Sequence, residues 1–169
     1  PQPWPRTPGV SRRRCAAGMK PRLLFVCVEN SCRSQMAEGF ARKFGNDVLE
    51  AWSAGSKPSG KANEMAVRMM KEIDIDLSNH ESKRLDDLPD VEWDYVITMG
   101  CGDNCPTLPA KERRDWALPD PKQMPLDEFR KVRDQIENQI LGLIREIKER
   151  NEHESVVKKL SFLDRTLTL

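Results

Sequence analysis

Apolar residues run without alternation from Leu23 to Val28, which predicts a buried strand over 22–27 in a parallel sheet covered on both faces. The period then changes. Met36, Ala37, Phe40, Ala41 and Phe44 recur at helical spacing and predict a helix over 34–44. A second strand is expected over 48–53, stopped by Gly55, Pro58 and Gly60. Ala62, Met65, Ala66, Met69 and Ile73 predict a second helix. Residues 74–90 are polar and irregular. A third strand is expected over 94–99, a loop over 100–109, and a short fourth strand over 115–118 that runs into Pro119-Asp120-Pro121. Phe129, Val132, Ile136, Ile140, Leu143, Ile144 and Ile147 form the apolar stripe of a long helix, about 126–149.

Strand and helix alternate throughout, so the fold class is α/β with a mainly parallel sheet. In such sheets ligands bind beyond the carboxyl ends of the strands. Cys27, the loop holding Cys101, and Asp120 each follow an expected strand, so they should gather on one rim. No internal repeat interrupts 19–150, and 169 residues suit one catalytic domain over that span. Residues 1–18 are rich in Pro and Arg, lack a hydrophobic period, and precede Met19-Lys20; they read as an extension outside the fold. Residues 151–169 read as a C-terminal tail that could be a peripheral helix, a contact surface or a vector-derived tail.

Charge and cysteine content narrow the function. With 28 basic and 27 acidic residues the net charge is +1, which favours neither nucleic acid nor membrane as a partner. The apolar run at 23–28 is far too short to span a bilayer. Five cysteines is an odd number, and without a secretory signal a disulfide framework is not expected. A reducing cytoplasm is the expected setting. Cys101, Cys105, His80 and His153 make a poor zinc pattern, so no metal site and no bound cofactor are expected.

The chemistry concentrates in Cys27-Val28-Glu29-Asn30-Ser31-Cys32-Arg33-Ser34. The C-x5-R spacing alone arises readily by chance. A strand before it and a helix after it give it weight, because inward backbone N–H groups at a helix N-terminus stabilise an anion. Cys27 is the candidate nucleophile, since a thiol reacts as thiolate. Arg33 supplies a planar fork for a tetrahedral oxyanion. Ser34 can donate to the Cys27 sulfur, and Asn30 can hold the turn. Asp120, stiffened between two prolines, is the candidate general acid.

This stretch resembles the active-site segment of the low-molecular-weight protein tyrosine phosphatase superfamily, and within it the thioredoxin-coupled arsenate reductases. The likeness is carried by 31–39 (SCRSQMAEG), Ser53-Ala54-Gly55, Asp76-Leu77-Ser78-Asn79-His80, Cys105-Pro106 and Asp120-Pro121, and covers roughly 21–149. It implies a four-stranded parallel sheet flanked by helices, a three-layer sandwich. It implies Cys27, Arg33, Cys101, Cys105 and Asp120 as catalytic residues, with Glu29, Asn30, Ser31, Cys32 and Ser34 lining the substrate. It also implies that Cys101 and Cys105 relay oxidation outward to thioredoxin, an external reductant, after arsenate has been reduced to arsenite. Here the pair is C-x3-C, shorter than in many such relatives.

Three departures from the family pattern stand out. Glu29 falls where many relatives have Gly, and either disfavours bulky or highly charged substrates or points outward without effect. Lys122 follows Asp120-Pro121 where phosphatases of the superfamily usually carry tyrosine, which argues against phosphotyrosine as substrate. Some of the reductases bind potassium at positions matching Asn30, Glu38 and Ser53, and the Lys83 ammonium is expected to replace that ion here. The alternative reading is a phosphatase that hydrolyses phosphomonoesters through a cysteinyl-phosphate.

Overall fold

The computed structural model describes residues 19–100, 102 and 108–167, the side chains of 163–167 excepted. Among these residues the chain forms β1 (Arg22–Cys27), α1 (Arg33–Gly45), β2 (Glu50–Gly55), α2 (Glu64–Lys71), β3 (Trp93–Thr98), β4 (Ala110–Asp115) and α3 (Leu126–Leu167). Short 3-10 turns lie at Leu85–Asp87 and Pro121–Gln123. The four strands make one sheet in the order β2-β1-β3-β4, with every pairing parallel.

β1 is central and apolar on both sides because both sides are covered. Leu23 and Phe25 face a large core shared with Met36 and Phe40 of α1, Met69 of α2, and Phe129, Ile136 and Ile140 of α3. Leu24 and Val26 face a smaller cluster with Ala54, Trp93 and Val96. Among the described residues that second face is closed by Leu85, Leu88 and Val91 from the irregular segment before β3, together with Leu108. One outer layer is therefore helical and the other is a packed turn.

Local signals fix the ends. The Asn63 side chain caps α2 by accepting from the backbone N–H of Met65 at 2.9 Å and Ala66 at 3.2 Å. Buried Asp94 accepts from the Arg22 N–H at 2.7 Å and from Lys111 Nζ at 2.7 Å, which ties β1, β3 and β4 at their amino ends. Gly55 lies inside β2 rather than stopping it. It pairs with Cys27, and a Cβ there would sit 2.5 Å from the Val28 carbonyl oxygen. The close approach of β2 to the turn after β1 thus requires glycine.

Two expectations shift. The fourth strand lies at Ala110–Asp115, ahead of 115–118. Its sequence, AKERRD, carries no apolar stripe because it is the edge strand, and its inward side is satisfied by ion pairs. Arg114 bonds Glu146 of α3 at 2.9 Å and stacks 5.5 Å from the Tyr95 ring. The last helix continues as one element well past 149, although its buried stripe ends at Ile147. No described helix is long and apolar enough to cross a membrane.

Candidate active site

The turn from β1 into α1 curls around the sulfur of Cys27, a residue only 5% exposed. Ser34 Oγ stands 2.8 Å from Cys27 Sγ, and the Asn30 backbone N–H donates to the sulfur at 3.2 Å. Two donors at the head of a helix are thus placed to stabilise negative charge on that atom. Asn30 holds the turn with a left-handed φ of 47°, which Asn tolerates better than most residues.

The Asn30 side chain points away from the loop into a buried polar network. Its Nδ2 donates to Ser34 Oγ at 3.0 Å and Ser53 Oγ at 2.9 Å, and its Oδ1 accepts from the Lys83 N–H at 2.7 Å. Gln35 donates to the Asn30 carbonyl at 3.0 Å and to the Glu81 carbonyl at 2.9 Å, and its Oε1 lies 2.9 Å from His80 Nδ1. Burial pushes the His80 imidazole below its ordinary range; the Glu38 carboxylate opposes that shift, and Arg42 and Lys83 reinforce it. Gln35 and His80 complete the support of the loop.

Glu38 is almost wholly buried beneath the loop. Ser53 Oγ donates to its Oε2, Lys83 Nζ lies 3.4 Å from the same oxygen, and Arg42 pairs with Oε1 at 2.5 Å. Positive charge beside Asn30, Glu38 and Ser53 is therefore supplied by this chain's own Lys83 and Arg42. Among the described residues no group of three or more His, Cys, Asp or Glu could hold a metal.

Arg33 opens α1 and is anchored across the rim. Its Nη1 donates to the carbonyls of Met99 at 2.6 Å and Leu118 at 2.8 Å, and its Nη2 lies 3.8 Å from Asp120 Oδ2. Gly100, at φ +73°, lets these carbonyls converge, since a Cβ there would meet Leu118 N and O at 2.9 Å. Asp120 also caps the following 3-10 turn by accepting from the Lys122 N–H at 3.3 Å. Cys27 and Arg33 from the loop after β1, and Asp120 from a stretch 87 positions later, share one rim.

Cys32 is different in kind. Its side chain lies in the large core, and burial, aided by the charges of Asp120 and Cys27, pushes its thiol up to about 12. It can offer the loop its backbone while its sulfur stays protonated. Ser31 is buried and donates to Glu29 Oε2 at 3.3 Å, and Lys122 Nζ donates to the same oxygen. Glu29 thus faces Lys122. Cys101 and Cys105 lie outside the described residues. A cavity of about 810 Å³ lies at the opposite end of the sheet between Lys20, Asp94, Lys111 and Arg150. It contains no cysteine and is not the reaction site.

Against known proteins, the model for the low molecular weight phosphotyrosine protein phosphatase family matches residues 22–153. An arsenate reductase of Staphylococcus xylosus is 42% identical over 120 residues, 69% of this chain and 91% of its own. A solved structure described as an arsenate reductase in the phosphate binding state superposes with a TM-score of 0.68 at 39% identity, covering 76% of this chain and 99% of its own. A Corynebacterium glutamicum thioredoxin-dependent arsenate reductase superposes at 0.65 with 32% identity, over 80% of this chain and 65% of that one.

Proposed function

The chain belongs to the low molecular weight phosphotyrosine protein phosphatase family, and from that premise we propose that it is an enzyme reducing arsenate to arsenite, with thioredoxin as reductant. The observation that carries the reading is the Cys27 sulfur held between Ser34 and the Asn30 amide, with Arg33 and Asp120 on the same rim. Lys122 in place of an aromatic residue, and relatives that are arsenate reductases, weigh against the phosphatase alternative.

The Cys27 thiolate attacks arsenic while the loop amides and Arg33 hold the oxyanion oxygens. An oxygen leaves as water, protonated by Asp120, and a cysteinyl-arsenate remains. The Cys101 thiolate then attacks the Cys27 sulfur. The S–As bond breaks, its electron pair stays on arsenic, and arsenite departs as a Cys27–Cys101 disulfide forms. Cys105 attacks Cys101 and frees Cys27. The Cys101–Cys105 disulfide that results takes two electrons from the thioredoxin dithiol, and the cytoplasm is the compartment this reading assigns to the reaction. Lys83 supplies the fixed charge beneath the loop, so turnover is equal in potassium and sodium buffers.

The test couples the protein to thioredoxin, thioredoxin reductase and NADPH, adds arsenate, and in parallel follows hydrolysis of a small aryl phosphate. Cys27→Ser stops both reactions. Cys101→Ser and Cys105→Ser stop arsenate turnover while hydrolysis persists. Hydrolysis with no arsenate-dependent NADPH oxidation in the parent overturns the reading in favour of a phosphatase.

A further inference from the structure

Glu29 is the single carboxylate in the 27–34 loop. A carboxylate beside an oxyanion site repels its ligand unless it is neutralised. Its backbone leaves it little freedom to swing away. The Glu29 carbonyl accepts from Ser82 Oγ at 2.7 Å and the Ser59 N–H at 3.1 Å, and the adjacent Val28 carbonyl accepts from the Lys57 N–H at 2.8 Å. The side chain instead reaches across to Lys122, two residues past Asp120. Lys122, bonded to it, holds the Glu29 carboxyl below the usual carboxylate range. Two ion pairs, Arg33–Asp120 and Glu29–Lys122, therefore run from the oxyanion loop to the same turn.

We propose that the Glu29–Lys122 pair is a specificity-determining latch, which closes the loop against the Asp120 turn so that the mouth admits a compact inorganic oxyanion and turns away aryl phosphomonoesters. The proposal rests on the arsenate reading of the same site. The latch acts in two ways. Lys122 cancels the charge that Glu29 would otherwise present to arsenate. The bonded pair also ties the loop that carries Cys27 to the turn that carries Asp120, which narrows the mouth against the organic group of a phosphomonoester.

Steady-state constants for arsenate and for p-nitrophenyl phosphate, measured in the parent, Lys122→Met, Glu29→Gln and the double variant, test it. Lys122→Met bares the Glu29 charge and raises KM for arsenate about tenfold, with a smaller change in kcat. Adding Glu29→Gln to that variant recovers most of the loss, as expected for coupled neighbours. All three variants raise kcat/KM for p-nitrophenyl phosphate severalfold relative to that for arsenate, whereas Lys131→Met, which removes an exposed pair with Glu128 on α3, does not. Protection of Cys27 from iodoacetamide by inorganic phosphate gives a readout that needs no turnover, and it weakens in Lys122→Met alone. Additive effects, no recovery in the double variant, or an unchanged substrate ratio overturn the latch. A parent that hydrolyses the aryl phosphate but never reduces arsenate overturns the arsenate reading instead, and the latch is then judged on the hydrolysis and protection arms.

Discussion

The head of α1 and the far turns of α3 are both regular helix, yet they are held by opposite means. Every residue from Ser34 to Ala41 is buried, and Gln35 and Glu38 bond to groups far away in sequence, Gln35 to Glu81 and Glu38 to Lys83. From 151 to 162 every α3 residue is exposed, with local bonds such as Lys158–Glu154 at 4.0 Å and Ser161 Oγ to the Lys158 carbonyl at 2.9 Å. Buried polar groups are costly when unpaired, so the first region tolerates one arrangement. Exposed pairs at helical spacing contribute only about 0.3–0.5 kcal/mol each, so the second region constrains little beyond itself.

The sharpest way to break this contrast is Gly55→Ala. The new Cβ would lie 2.5 Å from the Val28 carbonyl oxygen and 2.8 Å from the Asn30 nitrogen, both backbone atoms of the catalytic loop. Displacing that loop by about 1 Å should cut kcat/KM for arsenate and aryl phosphate alike by roughly 100-fold. Asn30→Ala comes next. It strands the partners on Ser53 and Lys83, and should lower the unfolding free energy by about 2 kcal/mol in urea titration.

A milder probe is pH. The folded protein holds His80 below its usual value of 6.5, so the unfolded chain binds more protons as pH drops. The stabilisation is complete above 6.5 and is lost as pH falls through the lower folded value. Melting temperatures that decline below neutrality, with a His80 ring-proton titration midpoint under 6.5, would show it; a midpoint at or above 6.5 would contradict it. The smallest effect belongs to α3. Ending the chain after Arg150 should change the unfolding free energy by less than about 0.5 kcal/mol and leave KM for arsenate as it was.

Legibility from sequence follows the same divide. β1 and the start of α1 were readable because their burial is total and their apolar periods are clean. β4 was misplaced because an edge strand satisfied by Arg114, Glu146 and Tyr95 needs no apolar alternation. For 151–169 a peripheral helix was one of the open alternatives, and its continuity with α3 was not readable because the buried stripe stops at Ile147 while the backbone continues on helical propensity. At the site, the residues of the loop itself were visible as a motif. The contact between Glu29 and Lys122 was not, since 93 positions separate them and only folding brings them together. The one hint was the lysine next to Asp120-Pro121.

The direction of α3 has a practical consequence. It starts just after the Asp120 turn and, at about 1.5 Å per residue, its 42 residues extend roughly 63 Å. Its final turns therefore emerge at the end of the sheet remote from the sulfur. An electrode, bead or fluorescent reporter attached there would ride on a rigid stalk, leaving the reactive mouth facing the sample.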